Sequence, residues 1–303
     1  MFDRSAISLR IALAVLVLGA GNVAGQEWRD FRAARQAGAV ASLDVELLYG
    51  AGRLEVGASE TPFLYDARLR YDTERFQPLR AWTRSGDHGR LRLGLTSVDD
   101  ETGPATIRLE DWDVDFDLDD LERRGDELGH LAFELHPGIP TSLKLGVGAA
   151  DARLELGGLS LTAFELVTGA SEASLVFGSP NRVAMKTLSI RAGAATFEAE
   201  GLANARFEHF EFAGAIGEVV LDFSGEWRAD ATASVKMGIG DLKIRVPSEI
   251  GVRIRRNSLL IGLDAAGFRK VGKEYFSPNW DTASIRLEIA LDAALGTVEV
   301  ERR

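Results

Sequence analysis

The sequence predicts an all-β protein, built as a β-solenoid of stacked coils, each about 21–24 residues long. Three observations lead to this prediction. From Leu43 onward, apolar and polar residues alternate with a period of two, as in Ser284 to Leu291 (SIRLEIAL), which is typical of half-buried strands. Glycines recur in similar apolar frames through the second half of the chain. Helical periodicity is scarce, and Glu27 to Gly38 (EWRDFRAARQAG) is the one amphipathic helix candidate.

The glycine repeat is the observation that favours a solenoid. Its members are Gly148, Gly169, Gly193, Gly214 and Gly238, whose numbers rise by 21, 24, 21 and 24. The residue three positions before each glycine is apolar, with Glu211 as the exception. Fixed apolar offsets around a small residue indicate one rung of a stacked structure. The alternative is a β-sandwich or barrel, whose strands also come at regular spacing.

The segment 1–25 has the three-part plan of a secretory signal peptide. Arg4 and Arg10 precede the apolar run 11–18 (IALAVLVL), and small residues lead to a cut before Gln26. We therefore expect an exported protein, periplasmic or on the cell surface, with no transmembrane segment in the mature chain. The chain has no cysteine, which excludes disulfides, a lipoprotein anchor and Cys-ligated metals.

Charge and composition exclude further classes. The net charge of −11 repels phosphate backbones, so we expect no nucleic-acid partner. Residues 26–142 are predicted to be a β-rich region that continues or caps the stack, and residues 143–303 to be the solenoid itself. The boundary is placed near Pro137 and Pro140.

Two stretches of the second half carry a family resemblance. One is Leu143 to Leu159 (LKLGVGAADARLELGGL), and the other runs from Gly267 (GFRKVGKEY) to Ser277–Asp281 (SPNWD). Together they resemble the bacterial toast-rack and adhesin-like β-solenoid domains, related to the cell-wall-active antibiotics response family, over residues ~143–303. The resemblance implies a location outside the cytoplasmic membrane. It implies no catalytic residues.

A search for chemistry yields one polar feature, the segment 111–122 (DWDVDFDLDDLE). Its acids occupy positions 1, 3, 5, 7, 9 and 12 of a calcium loop: Asp111, Asp113, Asp115, Asp117, Asp119 and Glu122. Phe116 replaces the turn glycine of that template, and the apolar residues alternate with the acids as in a strand with one buried face. The two interpretations are a structural calcium site and a solvated acidic strand. No other cofactor is predicted.

The sequence therefore predicts a non-catalytic exported binding or scaffolding protein of the bacterial cell envelope, whose partner is an envelope protein or a glycan. One alternative is a β-helical carbohydrate-active enzyme that uses the Asp-rich strand or Asp151, Glu172 and Glu198, which follow the rung glycines. The other is a structural envelope protein that self-associates through exposed coil ends.

Calorimetric titration of the mature protein with calcium tests the segment 111–122. Because the turn glycine is missing, we expect no binding heat at millimolar calcium. A stoichiometric heat that the Asp115→Asn variant loses would instead establish the calcium site.

Overall fold

The computed structural model describes residues 27–97, 129–257 and 262–303, and it confirms the all-β prediction. Over these residues, seventeen strands account for almost all regular structure, beside one 3-10 helix at Leu202–Ala205. The strands are β1 Trp28–Gln36, β2 Ser42–Ala58, β3 Phe63–Asp72, β4 Phe76–Ser85, β5 His88–Ser97, β6 His130–Leu135, β7 Thr141–Glu155, β8 Leu161–Thr168, β9 Ser171–Val176, β10 Met185–Glu200, β11 Phe207–Asp222, β12 Ala231–Val246, β13 Gly251–Arg256, β14 Gly262–Asp264, β15 Arg269–Val271, β16 Glu274–Phe276 and β17 Arg286–Arg302. No helix in the described ranges is long and apolar enough to cross a membrane.

The long strands pair side by side in parallel, and each is divided into two legs. In β10, the first leg is 185–192 and the second is 195–200, and both legs pair with the next strand, β11. The shorter strands β8 and β9 together span the same two legs beside β7 and β10. We call each long strand, or each such pair of strands, a rung. That the rungs wind as a solenoid stays a prediction.

The pairing corrects one position of the glycine repeat. The numbers of successive partners differ by 21, 24, 22 and 23, as in Asp151↔Glu172, Thr187↔Ala163, Met185↔Phe207 and His209↔Thr232. Gly193 is therefore level with Ala215 and not with Gly214. Three residues before Ala215 stands the buried Phe212, so the exception at Glu211 disappears. The glycine repeat contains Gly214 instead of its neighbour Ala215 because both residues are small and either could occupy the repeat position.

At both ends of the row of rungs, the order of the strands in space differs from their order in the sequence. At one end, β5 and β6 pair in parallel with the two legs of β2, on the side opposite to β7. At the other end, the last strand, β17, lies between β12 and the rung formed by β13 and β14. The strand β2 also pairs with β7 along both legs, so one sheet crosses the boundary predicted at 142/143.

The amphipathic helix candidate at Glu27 to Gly38 is not a helix, because Trp28–Gln36 forms the strand β1. It pairs antiparallel with β3 along its length, from Trp28↔Asp72 to Gln36↔Phe63. Ala33 is buried in this pairing, at 1% exposure. Tertiary pairing thus overrides a weak helical pattern, as is common for short segments.

The core lies between the two legs of every rung. Phenylalanines concentrate in its middle, where Phe207, Phe210 and Phe223 pack in tilted and edge-to-face contacts with ring centroids 5.4–6.3 Å apart.

The turns that close successive rungs are held by asparagine side chains. Asn181 accepts from Leu161 N–H and donates to Leu161 and Val183 carbonyls, while Asn204 donates to Phe177 O. These bonds satisfy turn backbone that neighbouring strands leave unpaired.

One buried carboxylate connects the antiparallel strands β1 and β3. Asp66 is 1% exposed and accepts hydrogen bonds from Arg32 at 3.0 and 2.8 Å and from Arg68 at 3.0 Å. The bond from Arg32 is the main reason that the pKa of Asp66 lies below its ordinary value, and Arg68 adds to the effect against the opposing influence of burial. The charged form of Asp66 therefore stabilises the folded protein.

The Asp66→Asn variant tests this contribution through its pH dependence. At neutral pH, we expect a loss of about 2 kcal/mol in the free energy of unfolding. Because the pKa is lowered in the folded state, this stabilisation is present above the unfolded pKa of about 3.9 and disappears as the pH falls through the folded pKa. Urea unfolding of both proteins at neutral and strongly acidic pH measures it. The exposed Glu74→Gln is the control, and a difference between wild type and Asp66→Asn that stays constant with pH contradicts the assignment.

The close approach of the Gly240 and Gly217 backbones provides a test of the strand register. Its φ is +136°, and an added Cβ would lie far inside van der Waals contact with the Gly217 carbonyl. We expect Gly240→Ala to lower the free energy of unfolding by several kcal/mol, because alanine is strained at this φ and its Cβ would clash with the Gly217 carbonyl. Gly267, with φ +81° and open space around its Cβ position, is the matched control, with an expected loss of about 1 kcal/mol. Equal losses in chemical denaturation would refute the close approach.

Candidate functional site

The rungs turn a corner between their two legs, and this corner is the candidate site. Along the first leg of β7, Leu145 and Val147 point inward, whereas along its second leg the inward residues are Ala152 and Leu154. The inward positions thus change from odd to even residue numbers. In β7, Gly148 and Ala149 are the two consecutive residues between the buried Val147 and the buried Ala150, so the chain turns at this point. Because every rung makes the same turn in register, the turn positions form three columns across the rungs.

The middle column consists of small residues. It includes Gly52, Ala150, Ser171, Gly217, Gly240 and Gly296. The last three are level with one another, and an added Cβ at Gly240 or Gly296 would clash with the carbonyl of the preceding rung's glycine. The small column therefore permits close backbone approach and leaves a depression between the two flanking columns.

One flanking column is acidic. Its paired members are Asp151, Glu172, Thr196, Glu218, Asp241 and Thr297, with Arg53 at its start. Asp151 is paired with Arg153 at 3.3 Å and Arg53 at 3.9 Å, and Thr297 Oγ1 donates to Asp241. Glu172 and Glu218 form no ion pair with any described residue. Carboxylates at strand spacing repel each other, so this side of the corner favours a cationic ligand.

The other flanking column is apolar, and its side chains become larger along the row of rungs. It begins with alanines (Ala51, Ala149, Ala170 and Ala194) and ends with Ile216, Ile239 and Leu295. The last three side chains are 55%, 49% and 60% exposed. Because isolated exposed apolar residues are normal but aligned ones mark contact surfaces, this column indicates binding.

An open groove of about 750 Å³ occupies the corner from Gly52 to Glu218. The small column is its floor, and the acidic column forms one wall. Its volume is in the range of ligand sites, but it is open along its length. It therefore suits an extended ligand better than an enclosed small molecule.

The sequence-predicted acids fall in three different places. Asp151 and Glu172 lie on adjacent rungs in the groove, as register partners. Glu198 lies outside it on the second leg, where Arg245 is 3.6 Å away. Asp111, Asp113, Asp115, Asp117, Asp119 and Glu122 lie outside the described residues, so the calcium hypothesis stays a prediction.

Asp151 and Glu172 do not face each other across the groove, because they are register partners on adjacent rungs. The two carboxylates lie side by side in one column, on the same wall of the groove. Glycosidases need two carboxyl groups that flank the scissile bond. Among the residues of the three described ranges, no group of three or more histidines and acids is placed to hold a metal.

A Ser–His–Asp cluster on the outer face of β2 and β5 was not foreseen from the sequence. His88 Nδ1 lies 2.9 Å from Ser42 Oγ, and His88 Nε2 lies 3.0 Å from Asp44 Oδ2. Ser42 and His88 are register partners on paired strands, and their sequence separation of 46 hides the cluster. The Ser42 and Leu43 amides already donate to Asp87 O and Pro140 O, so neither is available as an oxyanion-hole donor. The cluster forms a polar connection between β2 and β5.

Comparison with known protein families gives one match. The model described as the N-terminal domain of toast_rack, DUF2154, matches residues 25–198. The match covers β1 through most of β10 and overlaps the resemblance predicted for 143–303 over 143–198. The SPNWD stretch lies beyond it. No curated protein matches the chain.

Three solved structures are similar to this chain at low identity. A candidate cell adhesion protein from Clostridium sporogenes ATCC 15579 has 14% identity and a TM-score of 0.44, with 91% of this chain and 100% of the other covered. A candidate adhesin from Bacteroides fragilis NCTC 9343 has 8% identity and a TM-score of 0.36, covering 91% and 97%. A candidate adhesin from Parabacteroides merdae ATCC 43184 has 10% identity and a TM-score of 0.24, covering 92% and 97%.

Proposed function

We propose that this chain, which belongs to the family defined by the N-terminal domain of toast_rack, is a non-catalytic binding or scaffolding protein of the bacterial cell envelope. The observation that carries the proposal is the corner groove, with its exposed side chains repeated in register from rung to rung. Rigid strands hold these side chains, so the groove is preformed for an extended partner. Export, to the periplasm or the cell surface, is supported by the signal-peptide pattern of residues 1–25.

The partner we propose is an envelope protein or glycan that lies along the groove. The carboxylates of Glu172 and Glu218, which form no ion pair with a described residue, favour cationic or hydroxyl-rich groups, since a carboxylate accepts hydrogen bonds and attracts positive charge. The exposed hydroxyl of Thr196, on the rung between Glu172 and Glu218, adds a polar contact in the same column. The small floor lets a partner's backbone or sugar ring approach closely.

A non-catalytic role is supported by the geometry of the two groups of catalytic residue types, the groove acids and the Ser–His–Asp cluster. The groove acids share one wall, and the Ser42–His88–Asp44 cluster has no free adjacent amide from Ser42 or Leu43. The solenoid winding of the rungs is part of the same proposal, because a row of coils offers a long surface for partners.

Site-specific photo-cross-linking in the native envelope tests the groove. A benzophenone side chain at Thr196, in the groove, is expected to capture a reproducible partner identified by mass spectrometry. The same side chain at Thr162, exposed on the first leg of β8, is the matched control. Equal capture at both positions, or none at either, contradicts a role for the groove.

An ester-hydrolysis assay tests the non-catalytic proposal. We expect the wild-type protein to hydrolyse p-nitrophenyl acetate no faster than the Ser42→Ala variant, because no preformed oxyanion hole accompanies the hydroxyl. The readout is nitrophenolate release with both proteins at equal concentration. Turnover by wild type that Ser42→Ala abolishes, with the fold retained by circular dichroism, would establish an enzyme.

A further inference from the structure

We propose that this chain binds a second copy of itself, head to tail, through two surfaces of opposite charge. The first is the acidic ridge, defined by Ile216, Ile239 and Leu295 with the neighbouring Glu218 and Asp241. The second is the basic hairpin, defined by residues 269–276 of β15 and β16. Ile216 and Glu218 also line one end of the corner groove, so a second copy and a groove partner would meet there. The proposal does not depend on the identity of the groove partner.

The acidic ridge is a continuous surface on three adjacent rungs. Ile216 pairs with Ile239, which in turn pairs with Leu295, so their side chains repeat at the strand spacing of about 4.8 Å. Two residues further along, Glu218 is level with Asp241. Both acids are exposed. The surface therefore offers apolar contact beside negative charge.

Nearby cations do not neutralise this charge. On the second leg, Lys243 is already bound to Glu299 at 3.2 Å and Glu301 at 2.8 Å. Lys236 is exposed on the first leg, three residues before Ile239 and on the opposite side from Asp241. A symmetric contact of two ridges would set Glu218 and Asp241 against the same acids of the partner. That repulsion favours a basic occupant.

The basic hairpin has the complementary composition. Within the described residues, the exposed large apolar side chains are Ile216, Ile239, Leu295 and Val271, and Val271 is 50% exposed on β15. Arg269, Lys270 and Lys273 surround it, all exposed and none in an ion pair with a described residue. The ring of Phe276 lies under Arg269 at 5.2 Å, and that of Tyr275 lies near Lys270 at 5.5 Å. These contacts hold both cations in place.

The hairpin is also an edge of the sheet. The strand β15 pairs with β16 alone among the described strands, and β16 joins it to β13. In a chain of net charge −11, such a basic edge stands out from its surroundings. Edge strands with one free side are where proteins join other chains.

The hairpin cannot reach the ridge of its own molecule. Val271 connects through Glu274 and Arg255 to Ala290 on β17, three strand spacings or about 14 Å away. Ala290 stands five residues before Leu295, a further ~17 Å along the strand. Contact within one molecule would break these pairings. A second copy satisfies both surfaces without any rearrangement.

A contact between two different surfaces leaves one of each free on every dimer. Such heterologous association continues to longer chains or closes into a ring. The ridge is small, so the association is weak, with Kd on the order of 100 µM. Because its charges are exposed, added salt weakens it.

Charge reversal with rescue tests the proposal on the full mature chain. The ridge variant is Glu218→Lys with Asp241→Lys, and the hairpin variant is Arg269→Glu with Lys273→Glu. Sedimentation velocity between about 10 µM and about 1 mM measures association. We expect each variant alone to associate at least about tenfold more weakly than wild type, and an equimolar mixture to return to within about threefold of it. The mixture restores both contacts because each ridge then meets a hairpin of opposite charge.

The control is Glu155→Lys with Glu200→Lys, which makes the same change in net charge at exposed acids of the second leg. It is expected to associate at least as well as wild type. Unfolding midpoints of all variants confirm that each is folded. The proposal would be overturned by any of three outcomes. The wild type could stay monomeric to ~1 mM, association could stop at a dimer without a ring or longer chain, or the single variants could associate as strongly as wild type. Thr196 is the register partner of Glu218, so the identity of the molecule captured there separates the two proposals. Capture of a second copy reports this association, and capture of a different envelope molecule reports the proposed function, so the failure of one is distinguishable from the failure of the other.

Discussion

Backbone hydrogen bonds between parallel strands in fixed register are the constraint on which the rest of the structure depends. Each rung is level with the next over both legs, as in the pairing of β10 with β11 from residue 185 to residue 199. One position in a rung therefore defines a whole column. Members of a column share the same kind of neighbours, so inward columns are apolar, and the three corner columns are mainly small, mainly acidic and mainly apolar. At Gly240 and Gly296, even a methyl group would prevent this close approach.

The same register creates surfaces that a single strand does not have. Like charges at strand spacing repel each other, yet Glu218 and Asp241 are held level by the backbone bonds on either side. Ile216, Ile239 and Leu295 remain exposed beside them. The cost of such surfaces is small compared with the burial of the phenylalanine-rich interior. The fold can therefore carry binding surfaces at its corner without losing its core.

Antiparallel strands cover the rungs at the two ends of the row. At one end these strands are β1, β3 and β4, and at the other β15 and β16. The strand β1 carries Arg29, Arg32 and Arg35, while β14 and β15 have only three residues each. Charged or short edges limit uncontrolled pairing of sheets. Strand pairing of one coil end with another, which corresponds to the self-association that the sequence suggested as one alternative, is therefore less favoured than side-chain contact between the ridge and the hairpin.

By itself, the sequence determined the strand class and most inward positions, because alternation with a period of two is a local property. The fixed offset from the repeat glycines, also a local property, identified Leu145, Leu166, Ile190 and Val235, and all four are buried. Only the tertiary structure decided what depends on long-range pairing. It aligned Ala215 with Gly193, showed that the helix candidate Glu27 to Gly38 contains a strand, and brought Ser42 to His88. It also placed β17 beside β12, so that Leu295 lies next to Ile239 although the two are far apart in sequence. The physical reason is that register is fixed by hydrogen bonds and packing between distant segments, which no local pattern encodes.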